Sequence, residues 1–190
     1  MRLAFSHLSR PRLGETHSGD VALVREEGAL TLIAVVDALG HGELAAAAAG
    51  AAVRCLRSVS LADGVAPVLE ALHSALLKER GAVALVGLFD GQKLSCAGVG
   101  NVELRTQGTR IAVASSPGIL GQRYRRLVVT ESVLHPGDRF AVFTDGLSMR
   151  TDLEEGRGRK PAEACALLLE RYGKPQDDAT LLIADVEHAS

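Results

Sequence analysis

The pattern of apolar and polar positions along this chain predicts many short strands and a few helices. Apolar runs bounded by turn residues are typical of strands. Such runs occupy residues 2–9, 20–27, 30–36, 83–89, 93–97, 102–105, 110–114, 127–134, 140–144 and 181–186. High helix propensity and helical spacing of Leu and Val predict helices over residues 43–59, 65–80 and 161–172.

Turn residues between neighbouring runs predict how the strands pair. A Glu-Gly turn at 27–28 joins the second and third strands, and an Asp-Gly turn at 90–91 joins the next two. We expect two further hairpins, over residues 102–114 and 127–144, so that these strands form one long antiparallel meander. The charged segment 151–160 has no hydrophobic period and is expected to be an exposed, mobile loop.

Single aspartates stand at the ends of several predicted strands. Asp37 ends one strand of the first hairpin and Asp20 begins the other, so the two carboxylates should lie close together. Asp145 ends a later strand in the same way, and Asp177 and Asp178 precede the last one. Each aspartate alone is an ordinary turn residue, but converging carboxylates repel one another unless a cation lies between them. All-oxygen ligands favour Mg²⁺ or Mn²⁺ over zinc, so the set as a whole predicts a site for two such ions.

Composition narrows the class of protein. The 190 residues are expected to form one domain, residues 1–190, with an ordinary balance of 47% hydrophobic and 23% charged residues. The net charge of −2 provides no basic field for nucleic acid. The N-terminus lacks the long apolar segment of a signal peptide, and no run is long enough to span a membrane. We therefore expect a cytoplasmic protein with no nucleic-acid or membrane partner, and a monomer.

Four segments carry a resemblance to a known family. They read S-G-D at 18–20, V-V-D-A-L-G-H-G at 35–42, P-G-D-R-F-A-V-F-T-D-G-L at 136–147 and D-D-A-T-L-L at 177–182. Together, and in this order, they resemble the signature segments of the PPM (type 2C) metal-dependent protein phosphatases, in particular the bacterial SpoIIE/RsbU/RsbX-like subgroup. The resemblance implies an α+β fold, a four-layer αββα sandwich of two antiparallel sheets flanked by helices, with two metals at one end of the sheets.

The resemblance also assigns metal-binding roles. Asp37 matches the carboxylate that bridges both metals and serves catalysis. Ala38, where Gly is usual in the family, matches a residue that binds through its backbone carbonyl. Asp20 matches a ligand of one metal, whereas Asp145 and Asp177 match ligands of the other.

The role of His41 has two interpretations. As a catalytic acid it would protonate the leaving Ser or Thr oxygen, for which an ordinary pKa of about 6.5 is suitable. Eukaryotic relatives, however, carry a His two residues after the bridging Asp, not four, so the alternative is a packing or capping residue at the helix start. Asp178 stands where those relatives often carry Asn and is expected to support the ligands. The segment 151–159 lies where the family has its variable flap and is a candidate for substrate selection.

By resemblance, the protein is a Mn²⁺- or Mg²⁺-dependent serine/threonine phosphatase. Its stand-alone form is most similar to RsbX, so its expected substrates are phosphorylated STAS-domain proteins of a bacterial stressosome pathway. One alternative is a non-catalytic binding module that retains the fold in the same signalling complex. Another is a metal-dependent phosphodiesterase or nuclease, which the lack of a basic surface disfavours.

Overall fold

The structure is a computed structural model, and it describes residues 1–189. The strands are β1 (Arg2–Arg10), β2 (Asp20–Glu27), β3 (Leu30–Ala38), β4 (Ala82–Phe89), β5 (Lys93–Val99), β6 (Glu103–Gln107), β7 (Ser115–Ser116), β8 (Thr130–Val133), β9 (Arg139–Phe143) and β10 (Ala179–Glu187). The helices are α1 (Glu43–Ser58), α2 (Val65–Ala75) and α3 (Pro161–Tyr172), and a short 3₁₀ helix spans Leu153–Gly156.

These elements form four layers. A six-stranded sheet, in which β2, β3, β4, β5 and β7 are neighbours in that order and β8 also pairs with β5, packs under α1 and α2. A four-stranded sheet in the order β1-β10-β9-β6 packs under α3. Apart from the short parallel pair of β5 and β7, the pairing is antiparallel. The predicted αββα sandwich is confirmed.

The alternation of side chains along β3 explains why the sheets stack. Ile33 and Val35 face the other sheet, whereas Leu32, Ala34 and Val36 face the helices. All five side chains are buried, so β3 is the near-continuous apolar run expected of a strand that is covered on both faces. Its neighbours in the apolar layer between the sheets include Leu85, Phe140, Val142 and Leu182.

Two predicted hairpins are wrong. Residues 110–114 form no strand, and β6 pairs instead with β9. The backbone of Ala112 is held by the side chains of Ser132 and Thr130, a contact that apolar periodicity does not encode. The predicted hairpin over 127–144 fails in the same way, because β8 pairs with β5 whereas β9 lies in the opposite sheet. The chain therefore crosses between the sheets where a continuous meander was expected.

The second predicted helix is too long. It ends at Ala75, and residues 76–80 form turns that return the chain to β4. Buried Leu76 closes this helix with a backbone N–H bond to the carbonyl of Leu72, so its apolar spacing reflects burial beyond the helix end. None of the helices within residues 1–189 is long and apolar enough to cross a membrane.

The segment 151–160 is only in part the exposed loop that was expected, because it contains a 3₁₀ helix and several buried residues. Thr151, Leu153 and Gly156 are buried. The guanidinium of Arg139 donates hydrogen bonds to the carbonyls of Gly156 and Arg159 at 2.6 Å and also pairs with the carboxylate of Asp185. This buried cation fastens the segment to the start of β9, whereas Asp152, Glu154 and residues 157–160 remain exposed.

This anchoring gives a stability prediction. Arg139→Met should lower the free energy of unfolding by about 2 kcal/mol, because it leaves buried carbonyls and a half-buried carboxylate without their donor. It should also speed tryptic cleavage at Arg157. The control is Arg2→Met, which breaks the exposed ion pair between Arg2 of β1 and Glu187 of β10, the strand that also carries Asp185. This substitution should cost less than about 1 kcal/mol. Urea unfolding measures both changes, and equal losses in the two variants would contradict the prediction.

Candidate metal centre

The β2–β3 hairpin brings two carboxylates together. The strand register places Asp20 directly opposite Asp37, which confirms the hairpin predicted from the Glu-Gly turn. Asp37 continues the face of β3 that carries Ile33 and Val35, so its side chain belongs to the side facing the four-stranded sheet. Directly opposite residues in an antiparallel pair share a face, so Asp20 belongs to the same side.

The four-stranded sheet holds Asp20 from across the sandwich. Thr144 follows β9 on the inward-facing side that also carries Phe140 and Val142, and its hydroxyl donates a hydrogen bond to Asp20 Oδ2 at 2.5 Å. The same hydroxyl accepts a hydrogen bond from the backbone N–H of Thr180 at 3.0 Å. Both threonines are fully buried, so Asp20 is fixed in a closed environment.

Asp145 lies in the turn after β9, with its side chain exposed to solvent. Asn101 Nδ2 donates to Asp145 Oδ2 at 2.9 Å, and Lys174 Nζ donates to the Asp145 backbone carbonyl at 2.5 Å. The next residue must be glycine, because a Cβ on Gly146 would lie only 1.7 Å from the carbonyl oxygen of Asp178. The close approach of Gly146 to Asp178 keeps the turn after β9 against the segment that precedes β10.

The two aspartates before β10 have different surroundings. Asp177 is half-buried, and its backbone N–H bonds to the carbonyl of Lys174 at 3.2 Å. Asp178 is buried and accepts backbone N–H bonds from Gly19 at 2.7 Å and Arg12 at 2.8 Å. Asp178 therefore ties the loop before β2 to the start of β10.

A cavity of about 270 Å³ opens at this end of the sandwich. Its walls are formed by Asp37, Leu39, Gly40, His41, Val83, Asn101, Asp145 and Asp177. The structure thus brings together three of the predicted ligands at one cavity. Asp20 and Ala38 are not part of this wall: both are buried, Asp20 beside Asp37 and Ala38 directly after it.

Burial and mutual repulsion raise the pKa of three carboxyl groups at this centre, those of Asp20, Asp37 and Asp177. Burial, and next the charge of Asp37, raises the pKa of Asp20 to about 9 even though the Thr144 hydroxyl opposes the change. Burial, and next the charge of Asp145, raises the pKa of Asp37 to about 7. The pKa of Asp177 is raised for the same two reasons. Negative charge at this site is costly in the protein alone, and a cation would offset the cost.

These residues fit hard divalent cations. The donors are carboxylate oxygens with a backbone carbonyl beside them, and no Cys lies on the cavity wall. Within residues 1–189, no three His, Cys, Asp or Glu side chains meet closely enough to enclose an ion by themselves. Spaced carboxylates around an open cavity suit ions that retain several waters, as Mg²⁺ does, better than the closed tetrahedral sites of structural zinc.

His41 lies on the cavity wall and has an acidic partner. Its Nδ1 lies 2.9 Å from Glu15 Oε1. A carboxylate only accepts hydrogen bonds, so Nδ1 carries the proton and Nε2 is left for another partner. This arrangement places an oriented imidazole on the same cavity wall as the carboxylates.

Only part of the predicted flap, residues 151–159, lies near the aspartates of the centre. Arg139, which holds the carbonyls of Gly156 and Arg159, begins β9, whereas Asp145 follows the end of that strand. Residues 156–159 therefore lie at the opposite end of the sheet from the centre. Met149 and Thr151 stay closer along the chain, with their carbonyls held by Arg105.

Sequence reasoning missed several residues that support the centre: Glu15, Asn101, Thr144 and Lys174. A partial signal exists for Thr144, because a polar residue directly before Asp145 interrupts an otherwise apolar strand. Asn101 follows Gly100 at the end of β5, which is also a strand exit. No local pattern indicates Glu15 or Lys174.

A family model described as Stage II sporulation protein E (SpoIIE) matches residues 27–188. The chain belongs to this family. The predicted resemblance to PPM phosphatases of the SpoIIE/RsbU type is confirmed by this match and by the fold shared with such phosphatases. Asp20 precedes the matched segment, so its assignment depends on the hairpin geometry. A search of curated protein sequences gives no significant match.

Solved structures share the fold over almost the whole chain. A chain from a study of the bacterial stressosome, described as a modular system adapted to control secondary messenger signalling, is 29% identical with a TM-score of 0.89, covering 97% of this chain and 100% of its own. RsbX in complex with magnesium is 20% identical with a TM-score of 0.81, and the match covers 97% of this chain and 96% of RsbX. The catalytic domain of the phosphatase PstP with two manganese ions is 19% identical with a TM-score of 0.77, and the match covers 98% of this chain and 99% of the PstP domain.

The raised carboxyl pKa values predict how stability depends on pH without metal. Asp20 and Asp37 hold protons in the folded chain at pH values where they have ionised in the unfolded chain, so the free energy of unfolding should fall as pH rises from about 4 through about 7 and 9. Asp37→Asn should remove much of this fall and raise the free energy of unfolding at about pH 8 by about 1–2 kcal/mol.

Urea unfolding in the presence of a chelator measures this effect. Asp145→Asn is the control, because the exposed Asp145 has little desolvation to relieve and its substitution should change the metal-free stability less. A larger stabilisation by Asp145→Asn than by Asp37→Asn would contradict the charge distribution described above.

Proposed function

We propose that this protein is a Mn²⁺- or Mg²⁺-dependent phosphatase that hydrolyses phosphoserine and phosphothreonine monoesters on proteins. The observation that carries the proposal is the cavity at which Asp37, Asp145 and Asp177 meet, with Asp20 buried beside Asp37. Membership of the SpoIIE family and a fold shared with RsbX and PstP support the same reaction.

The chain supplies ligands from three strand ends. Asp37 is central, because it faces Asp20 on one side and lines the cavity together with Asp145 and Asp177. We assign Asp37, Asp20 and the carbonyl of Ala38 to one ion, and Asp37, Asp145 and Asp177 to a second. When bound, two such ions would supply an activated water and offset charge on the phosphoryl group.

The supporting residues hold these ligands in place. Thr144 orients Asp20 from the opposite sheet, and Asn101 restrains Asp145, whose exposed side chain would otherwise be free to rotate. Such restraint favours a site that is formed before the substrate arrives, which reduces the reorganisation needed during the reaction.

His41 is proposed to protonate the leaving Ser or Thr oxygen. Glu15 holds Nδ1, so Nε2 is the nitrogen that can face the substrate oxygen across the cavity. An alkoxide is a poor leaving group and gains most from a proton donor, whereas an aryl oxide needs one much less. Glu15 acts through His41, as a positioning residue.

The substrates are proposed to be phosphorylated STAS-domain proteins of a stressosome pathway, with the RsbX-like role of resetting the signal. The support is the family and the likeness to structures of RsbX and of a stressosome-related chain. In this proposal the protein acts in the cytoplasm as a monomer.

The function is tested by hydrolysis of p-nitrophenyl phosphate and of a phosphoserine peptide with Mn²⁺, with chelator, and with Asp37→Ala. Activity should require metal and fall to the level of the buffer control in the variant. Metal binding without hydrolysis of either substrate would instead support a non-catalytic binding module. Preference for a phosphodiester would support the nuclease-type alternative.

The role of His41 gives a separate prediction. His41→Ala should lower kcat for the phosphoserine peptide by about 100-fold but change kcat for p-nitrophenyl phosphate by less than about 5-fold, because only the peptide needs a protonated leaving group. His17→Ala is the control, since His17 is exposed and, among residues 1–189, its ring bonds only to Thr16. Equal losses on both substrates would assign His41 to structure or metal binding instead of proton transfer.

A further inference from the structure

The walls of the acidic cavity contain no Lys or Arg side chain. The charged groups among its lining residues are the carboxylates of Asp37, Asp145 and Asp177, with the ionisable ring of His41. A phosphate monoester is a dianion at neutral pH, so it approaches a site whose own charge is negative. A cation just outside the wall would both attract the phosphate and orient it.

Arg80 lies at that position. Its Nη1 packs against Gly40, which forms part of the cavity wall; a Cβ at Gly40 would lie only 2.6 Å from this nitrogen. Gly40 also has φ of 85°, a conformation that side chains rarely adopt. Glycine at this position therefore opens the wall toward the guanidinium.

The backbone beneath Arg80 is fixed on two sides. The N–H of Leu39 bonds to the carbonyl of Gly81 at 3.0 Å, which ties the segment to the residue before Gly40. The side-chain amide of Gln122 donates to the carbonyl of Arg80 at 2.8 Å. The start of the arginine side chain is thus held relative to the cavity.

The guanidinium itself has no partner in this part of the chain. Among residues 1–189, the side chain of Arg80 makes no hydrogen bond or ion pair, and it is exposed. Two other cations are already engaged: Lys174 donates to the carbonyl of Asp145, and Arg105 donates to the carbonyls of Met149 and Thr151. An arginine with five unused donors in a planar fork matches the oxygens of a phosphate group.

We propose that Arg80 binds the phosphate of the substrate at the mouth of the metal cavity, reaching it over Gly40. This inference rests on the proposed phosphatase function and names a residue that recognises the phosphate itself. The phosphate would thereby have positive charge on both sides: the metal ions within the cavity and the guanidinium outside it. Recognition of this kind serves any phosphoserine or phosphothreonine monoester, whatever the surrounding peptide.

The experiment compares Arg80→Ala, Arg80→Lys and Lys78→Ala. Lys78 is the matched control, because it is an exposed cation in the same turn without contact to Gly40. With Mn²⁺ and p-nitrophenyl phosphate, Arg80→Ala should raise KM about 10-fold or more and leave kcat within a few-fold, since a group that holds phosphate in substrate and transition state alike affects binding most. Arg80→Lys should recover part of the loss, and Lys78→Ala should resemble the wild type.

A second measurement separates failure of this inference from failure of the phosphatase function. Calorimetric titration of the Mn²⁺-loaded proteins with inorganic phosphate needs no turnover, and Arg80→Ala should weaken the affinity about 10-fold. If the wild type hydrolyses the substrate but Arg80→Ala and Lys78→Ala have equal KM and equal phosphate affinity, the role of Arg80 is overturned while the function stands. If the wild type hydrolyses nothing, the titration alone decides, and equal affinities in the two variants again overturn it.

Discussion

Two carboxylates that share one end of the β2–β3 hairpin impose the constraint on which this site depends. Asp20 and Asp37 are direct neighbours in the strand register, and burial raises the pKa of each. Packing two acids beside a third and a fourth destabilises a protein unless a proton or a cation compensates. The sandwich tolerates the arrangement because it is open at this end, so ions and water can enter where the apolar layer stops.

Each sheet contributes half of the centre because their inner faces meet. β3 carries Asp37 on the face that packs against Phe140, Val142 and Leu182 of the other sheet. The strand β9 leads to Thr144 on its own inner face, and the next residue, Asp145, enters the turn. The same alternation that buries the apolar layer therefore sends polar groups of both sheets to one end. Binding of ions at this end would join the sheets as well as serve chemistry.

The charges form a pattern from the inside outward. Carboxylates occupy the centre, and His41 with Glu15 stands on the wall. Cations lie outside it: Lys174 donates to a carbonyl, and the guanidinium of Arg80 has no partner among residues 1–189. A site of this kind suits the transfer of a dianionic group, which needs positive charge on all sides but gains little from covalent chemistry by the protein. The family relationship and the geometry thus support the same reaction class.

Local information in the sequence determined the elements that are close along the chain. The Glu-Gly turn and the apolar period predict the β2–β3 hairpin and hence the pairing of Asp20 with Asp37. The sandwich itself was predicted from the resemblance of the motifs to a known family. Hairpins assigned to β6 and β8 are wrong, because periodicity records which face of a strand is buried but not which strand lies beside it.

Only the tertiary structure decided the contacts between distant segments. Thr144 lies 124 residues from Asp20, and Asn101 lies 44 residues from Asp145. Arg80 was expected to end a helix, yet it leaves that helix and packs on Gly40 because the chain turns after Ala75. The acids could be recognised from sequence because each terminates its own strand. Their supporting residues could not, because a donor is chosen by the packing of the two sheets and leaves no periodic trace in the chain.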